Sequence, residues 1–585
     1  MSVQQSDITD LNYDLVVGVS QRSVNAIMKT YYTNAAEYFW PQTWYFINSL
    51  SVDQNTAWQM MGNQDPFEIP SWNGQGTMPA NIQSCINGGF TCAFQFTPGD
   101  PGNPAVGNTP ATYPAWDYTY LTYLPKDTFY GQTYNYTLCC QNIQVVYWDP
   151  FTNVWVNYTQ PTAPNSPASS IVKFCAYATL ASQTKAYNAS DNTIPQDVKT
   201  QAAALQASNT AFTIQQLIVS LEAMDASTMS TLPFMTTLDE CYYQRLAPCF
   251  ITAYTQALKS SFKSVPTLCY ALPQTNQANQ TIINPTNVQT AIENFVDTNG
   301  NVISSPTTDQ VNLSTLNYLC AVNGSIPQTP QQFKWNWFDS DNDASTYDGV
   351  IALSKYALGR SIYNQIITYV KNNCWVPQIS CTNNNGTDAW SFSMAANGTL
   401  NSDALITNNS NNYFAIFLYN PAAFTTYGVV NTGDYVSITP QFQLEVSIKD
   451  ASTITVTQLS QFSYVIKIGG GEAMPGTPLN ISYTQDYGVI VQPDGTLDFT
   501  PGQLQTWGGP SNESIPYLTN AEGEQMVQSI NTTVQSMQSA DLTATPLGSL
   551  QQVILPGGNA FMFKDAQFTS ANDLACEITY LKTTS

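Results

Sequence analysis

The sequence contains no histidine. Without an imidazole there is no Ser-His-Asp triad, no Cys-His dyad and no His-ligated zinc or copper site. Charge is scarce as well: Asp, Glu, Lys and Arg make up 10% of the chain, well under the roughly 25% of a typical domain. The 17 basic residues stand against 40 acidic ones, a net charge of −23. That balance argues against nucleic acid, which is held by clustered Lys and Arg, and no nucleic-acid partner is expected. It argues equally against electrostatic docking on anionic membranes.

Long apolar runs are also missing. None approaches the roughly 20 residues that cross a bilayer, so no transmembrane segment is expected. The start, MSVQQSDITD, has no basic region followed by an apolar one, as a secretory leader would. The expected location is the cytoplasm, or the exterior by export without a signal peptide. What is present is apolar: 43% hydrophobic and 12% aromatic residues are enough to bury large cores. The surface must then be Asn, Gln, Ser and Thr.

None of the twelve cysteines forms a CxxC pair, which excludes zinc ribbons and thioredoxin motifs. Cys85 with Cys92, and Cys374 with Cys381, could each close a short disulfide; buried free thiols are the plainer reading. Asn-x-Ser/Thr triplets at Asn135, Asn157, Asn188, Asn323, Asn385 and Asn397 arise by chance in so polar a chain.

The chain reads mostly as strands. Residues 135–148 and 154–158 make a hairpin across Asp149-Pro150-Phe151-Thr152-Asn153. Phe442, Leu444, Val446 and Ile448 alternate with Gln443, Glu445, Ser447 and Lys449, a strand with one wet face. Residues 464–468 form a strand broken by Gly469-Gly470-Gly471, and Pro493-Asp494-Gly495 turns between two more. Stretches 97–113, 158–168, 272–288 and 382–388 read as loops. Helical spacing marks Val24, Ile27, Met28 and Tyr31, then Ile214, Leu217, Ile218 and Leu221, then Met526, Ile530, Val534 and Met537.

One pattern recurs. Tyr13-Asp14-Leu15-Val16-Val17-Gly18-Val19-Ser20 and Tyr347-Asp348-Gly349-Val350-Ile351-Ala352-Leu353-Ser354 are each an apolar strand ending in Ser. Ser is a good helix N-cap, and an amphipathic run follows each. This reads as a duplicated module split near residue 330.

Several segments resemble the 47-kilodalton protein family of clostridial neurotoxin gene clusters, part of the tubular lipid-binding, TULIP-like superfamily. They are Tyr13 to Ser20 with Ser23-Val24-Asn25; Phe212 to Leu217; Trp335-Asn336-Trp337-Phe338-Asp339; and the ending Leu555-Pro556-Gly557-Gly558, Phe561 to Asp565, Asp573-Leu574 and Ile578-Thr579-Tyr580. The resemblance implies a β-rich α+β fold of two TULIP-like modules, 1–330 and 331–585. Each would be a curved antiparallel sheet wrapped around a long helix. It also implies non-catalytic binding of a lipid or other apolar ligand in the groove between helix and sheet. A toxin-accessory or scaffold role through contacts with other proteins of a complex is the alternative, and a carboxylate-based hydrolase a distant third. Candidate groove walls are Val24, Ile27, Met28, Leu358, Ile362 and Ile366.

Other chemistry is thin, and no cofactor is expected. Asp339-x-Asp341-x-Asp343 begins like a calcium loop, but Ala344 and Val350 stand where an EF-hand needs Gly and Glu, so no metal is expected there. Gly469-Gly470-Gly471 lacks the Lys and Ser/Thr of a phosphate loop, and there is no GxSxG elbow. Cys139 and Cys140, adjacent in a strand, must point to opposite faces. Asp239-Glu240 near Arg245 reads as a solvated acidic pair.

Overall fold

A computed structural model describes residues 3–36, 41–99, 105–106, 109–110, 120–123, 133–160, 172–192, 194–207, 212–225, 240–262, 267–273, 283, 285–322, 329–341, 343, 346–396, 399–406, 411–510, 515–535, 540–543, 554–556, 558 and 560–580. The fold is α+β and rich in antiparallel strands. Among the described residues the α-helices are α1 (Gln21–Ala36), α2 (Gln54–Met60), α3 (Ala80–Asn87), α4 (Gln196–Ala207), α5 (Glu240–Phe262), α6 (Thr308–Leu313), α7 (Lys355–Asn372) and α8 (Asn520–Gln535). No helix among the described residues is long and apolar enough to cross a membrane.

A six-stranded central sheet runs in the order Pro285–Glu293, Thr315–Val322, Leu15–Ser20, Gly349–Leu353, Leu574–Tyr580, Phe561–Phe568. It takes three strands from each side of residue 330. Leu15–Ser20 and Gly349–Leu353 read as continuous apolar runs because both faces of this sheet are covered. Val17, Val19, Ile351 and Leu353 join the main core, whereas Val16, Val350 and Ala352 face an aromatic cover of Phe333, Trp335, Trp337 and Phe338. The Trp335 and Phe333 rings stack at 4.7 Å, and Trp337 Nε1 donates to Asn317 Oδ1 at 3.0 Å. Gly18 permits this packing. A Cβ there would lie 2.7 Å from Asn317 Oδ1 and 3.1 Å from the Trp337 ring.

The two repeated motifs meet on this sheet. Their strands are antiparallel neighbours, with Val17 paired to Ile351, the residues that the Tyr13/Tyr347 alignment makes equivalent. The Ser20 N–H donates to the Asp348 carbonyl at 3.0 Å, and the Ser354 N–H to the Asp14 carbonyl at 2.8 Å.

A ten-stranded sheet holds Thr133–Asp149 at its middle, flanked by Phe90–Pro98 and Lys173–Lys185, and continues through Ile214–Asp225 and Thr267–Ala271 to Ile554–Pro556. That last strand comes from the far end of the sequence. Helix α5 packs on this sheet: the Phe250 ring stacks on Phe174 at 3.8 Å and meets Phe94 and Phe96 at 5.3 Å. An eight-stranded sheet is built around the long strands Tyr435–Asp450, Thr453–Lys467 and Met474–Val491. In the first, Phe442, Leu444, Val446 and Ile448 are buried as their alternation predicts. Helix α7 packs against Tyr413–Tyr419, and α8 against the hairpin strand Thr387–Ala396.

Local expectations hold in several places. The 135–148/154–158 hairpin forms, with the Asp149 carboxylate accepting the Phe151 N–H at 2.9 Å. Gly469 and Gly470 make a turn with φ of +67° and +71°. The helical reading of Ile214 to Leu221 is corrected: these residues lie in the strand Ile214–Asp225. Ile214 packs toward α4 and Leu217 toward the main core, so both faces are apolar and the spacing imitates a helix. The 382–388 loop is mostly strand, with a tight turn at Asn385-Gly386. Met537 and Asp239 fall outside the described residues, as do most of 97–113, 158–168 and 272–288. Glu240 opens α5.

Candidate functional site

A cavity of about 300 Å³ opens where the ten-stranded sheet approaches the edge of the central sheet. Strand register explains its lining. Ser182 pairs with Leu217, and Leu217 with Cys269; Gln215 pairs with Ala271. These side chains therefore share one face of the ten-stranded sheet. Opposite stand Val288, Gln289 and Thr290 of the edge strand Pro285–Glu293, with Tyr318 behind Thr290. Pro330 completes the rim.

The cavity is amphipathic. Leu180, Leu217, Cys269, Ala271 and Tyr318 are buried and form its floor. Gln215, Val288, Gln289 and Thr290 are half-buried and Ser182 is exposed, so the mouth is polar but uncharged. A hydrogen bond links Tyr318 to Cys269 and ties the two sheets together at the floor. Burial pushes the Cys269 thiol up to about 12, leaving it an inert thiol at neutral pH.

The residues singled out as groove walls lie elsewhere. Val24 and Met28 on α1, and Leu358, Ile362 and Ile366 on α7, are packed in the main core, while Ile27 is half-buried. None lines this cavity. Reading Ile214 to Leu221 at helical spacing hides that Gln215 and Leu217 lie on one face of a strand. Polar and apolar residues do not alternate through Ile214-Gln215-Gln216-Leu217-Ile218, so no period-two signal marks this strand in the sequence.

The Asp339–Asp343 loop ties itself together. Asp339 N–H donates to the Asp343 carboxylate at 2.6 Å and Asp341 N–H to the Asp339 carboxylate at 2.9 Å. Among the described residues no three acidic or thiol side chains are gathered to hold a metal. Cys85, Cys92, Cys374 and Cys381 are free thiols, so neither short-loop disulfide forms; Cys139 and Cys140 are buried and not joined in a disulfide.

The most perturbed carboxyls belong to the packing. Asp573 is fully buried and accepts the N–H groups of Ile8 at 2.7 Å, Thr9 at 3.2 Å and Lys355 at 2.9 Å, together with the Thr9 hydroxyl. Burial pushes it up to about 6, against the pull of those donors. Burial likewise pushes Glu577 up to about 7; its bond to Tyr347 opposes this and the nearby Asp343 and Asp565 add to it. Burial lowers Lys355 to about 8.

No protein-family model matches the sequence, and no curated protein does. Solved structures do. P47 of Clostridium botulinum E1 is similar at 11% identity, over 97% of this chain and 98% of that one, with a TM-score of 0.42. P47 from Clostridium botulinum A2 is similar at 9% identity over 97% and 96%, with a TM-score of 0.39. A lipopolysaccharide binding protein is similar at 8% identity over 98% and 100%, with a TM-score of 0.26. The two P47 structures come from the family to which the sequence segments pointed.

Proposed function

We propose that this chain is a non-catalytic binding protein that holds a lipid or other apolar ligand, seated in the cavity between the ten-stranded and central sheets. The observation that carries the reading is the cavity itself, an apolar floor under an uncharged polar mouth. Its volume lies at the lower end of the roughly 300–1,000 Å³ of small-molecule sites, and such sites are mostly apolar with a few polar groups. Burying an acyl chain there would contribute about 0.8 kcal/mol per CH₂. A binding role also fits the perturbed carboxyls, since Asp573 is committed to the N–H groups of Ile8, Thr9 and Lys355.

The same reading takes the chain as a duplicated pair of TULIP-like modules, divided near residue 330. The antiparallel pairing of Val17 with Ile351, and the reciprocal Ser20–Asp348 and Ser354–Asp14 bonds, support a local two-fold between the halves. Protein contacts remain the second reading. Tyr427, Val429, Val430, Met474 and Tyr517 are exposed around the turns at one end of the eight-stranded sheet, and exposed apolar patches mark interaction sites.

Native mass spectrometry of the purified chain, followed by organic extraction, tests the reading. A co-purifying apolar molecule is expected, and Ala271→Phe, which fills the floor, is expected to lose it while keeping the circular dichroism of the parent. An empty chain that also takes up no apolar fluorescent probe would overturn it.

A further inference from the structure

The cavity is asymmetric in a way that selects among apolar ligands. This inference rests on the reading that the cavity binds one. Its floor, at Leu180 and Leu217, is shielded from water, and its mouth is built from Ser182, Gln215, Gln289 and Thr290. Among the described residues no Lys, Arg, Asp or Glu lines it. None of the four mouth side chains spends its hydrogen-bonding groups on another described residue. An amphiphile therefore enters chain first and leaves its head at the mouth, where hydroxyl and amide groups can both donate and accept.

Head-group charge decides the rest. Among the described lining residues a phosphate or carboxylate at the mouth meets no cation, and Lys185, three residues beyond Ser182, is held by Asp191 at 2.7 Å. It also meets the field of a chain carrying −23 charges. A hydroxyl or ester head meets neither cost. Size decides the tail. A cavity of about 150 Å³ accommodates benzene, so about 300 Å³ holds on the order of a dozen carbon-sized atoms. That is one medium acyl chain, and two chains do not fit.

We infer that the cavity takes a neutral, single-chain amphiphile with a hydroxyl or ester head, and discriminates against anionic heads and two-chain phospholipids. The test is competition against a bound apolar fluorescent probe by monolauroylglycerol, laurate, lauryl phosphate and dilauroylphosphatidylcholine at low ionic strength. Monolauroylglycerol is expected to displace the probe at least tenfold more effectively than the other three. Its margin over the two anions should shrink at high salt. Gln215→Lys with Thr290→Lys, both at the half-buried mouth, is expected to reverse the preference toward laurate.

Equal or better displacement by laurate, lauryl phosphate or the two-chain lipid would overturn the inference and leave the apolar cavity standing. A double variant that folds, binds the probe and keeps the parent's preference would also overturn it, because the head would then lie away from the mouth. Failure of any compound to displace the probe, in a chain that also carries no ligand, would remove the binding reading underneath.

Discussion

Glu577 and Asp573 stand four residues apart, one on the edge-covered strand Leu574–Tyr580 and the other just before it, and both are withheld from water. Their folded carboxyls sit near 7 and 6, above the ordinary acid range. The native state therefore binds more protons than the unfolded chain between about pH 4 and 7, and stability falls as pH rises through that window. Lys355, lowered to about 8, contributes a slope of the opposite sign above that pH, because there the unfolded chain binds its extra proton. We expect the melting temperature to be higher at pH 5 than at pH 7.5. Glu577→Gln should flatten the upper part of that slope, recovering on the order of 2 kcal/mol at pH 7.5; a melting temperature independent of pH from 5 to 7.5 would contradict the assignment. Gly18 makes a sharper residue-scale test. Gly18→Val must push Trp337 off Asn317, and overpacking of this kind costs about 1–3 kcal/mol. Urea titration with a shift in tryptophan emission would show it.

At the scale of single elements, the strand–Ser–helix units were legible because their signals are local. Ser354 Oγ accepts the Ala357 N–H at 3.1 Å and Ser20 Oγ the Ser23 N–H at 3.2 Å. Ser354→Ala should cost about 1 kcal/mol in chemical denaturation, and Ser354→Asp should restore most of it. The alternating strand around Leu444 was legible for the same reason: one face is wet. Helix α5 was not anticipated, although Leu246, Phe250, Ala253, Tyr254, Ala257 and Leu258 are all buried at helical spacing; Pro248 within it disguised the pattern. Phe250 meets Phe94, Phe96 and Phe174 at once. Phe250→Ala is expected to cost about 3–5 kcal/mol, while a comparable change at the exposed Phe151 is expected to be nearly silent.

Across the whole molecule, the two halves are not separable by cutting near residue 330. Leu15–Ser20 is paired on both edges, to Thr315–Val322 and to Gly349–Leu353, and Asp573 pins Ile8 and Thr9 from the other end of the chain. Ile554–Pro556 crosses to the ten-stranded sheet. Residues 1–330 alone would expose an apolar strand edge. They are expected to aggregate or to melt without cooperativity by circular dichroism, whereas co-expression with 331–585 should give a soluble complex on size exclusion. A well-folded, monomeric 1–330 fragment would count against this arrangement.

The sequence by itself determined the chemistry this chain lacks. With no histidine, little charge and alternating apolar strands, it excluded whole classes of site and specified a β-rich core, because periodicity and composition act locally. Only the tertiary structure decided which apolar residues border the cavity and which fill the core. Val24 and Leu358 satisfy the pattern of a groove and lie in the core, while Leu217, read at helical spacing, and Val288, read in a loop, both line the cavity. That distinction depends on how two sheets from distant parts of the chain approach one another, and no short stretch of residues encodes the distance between them.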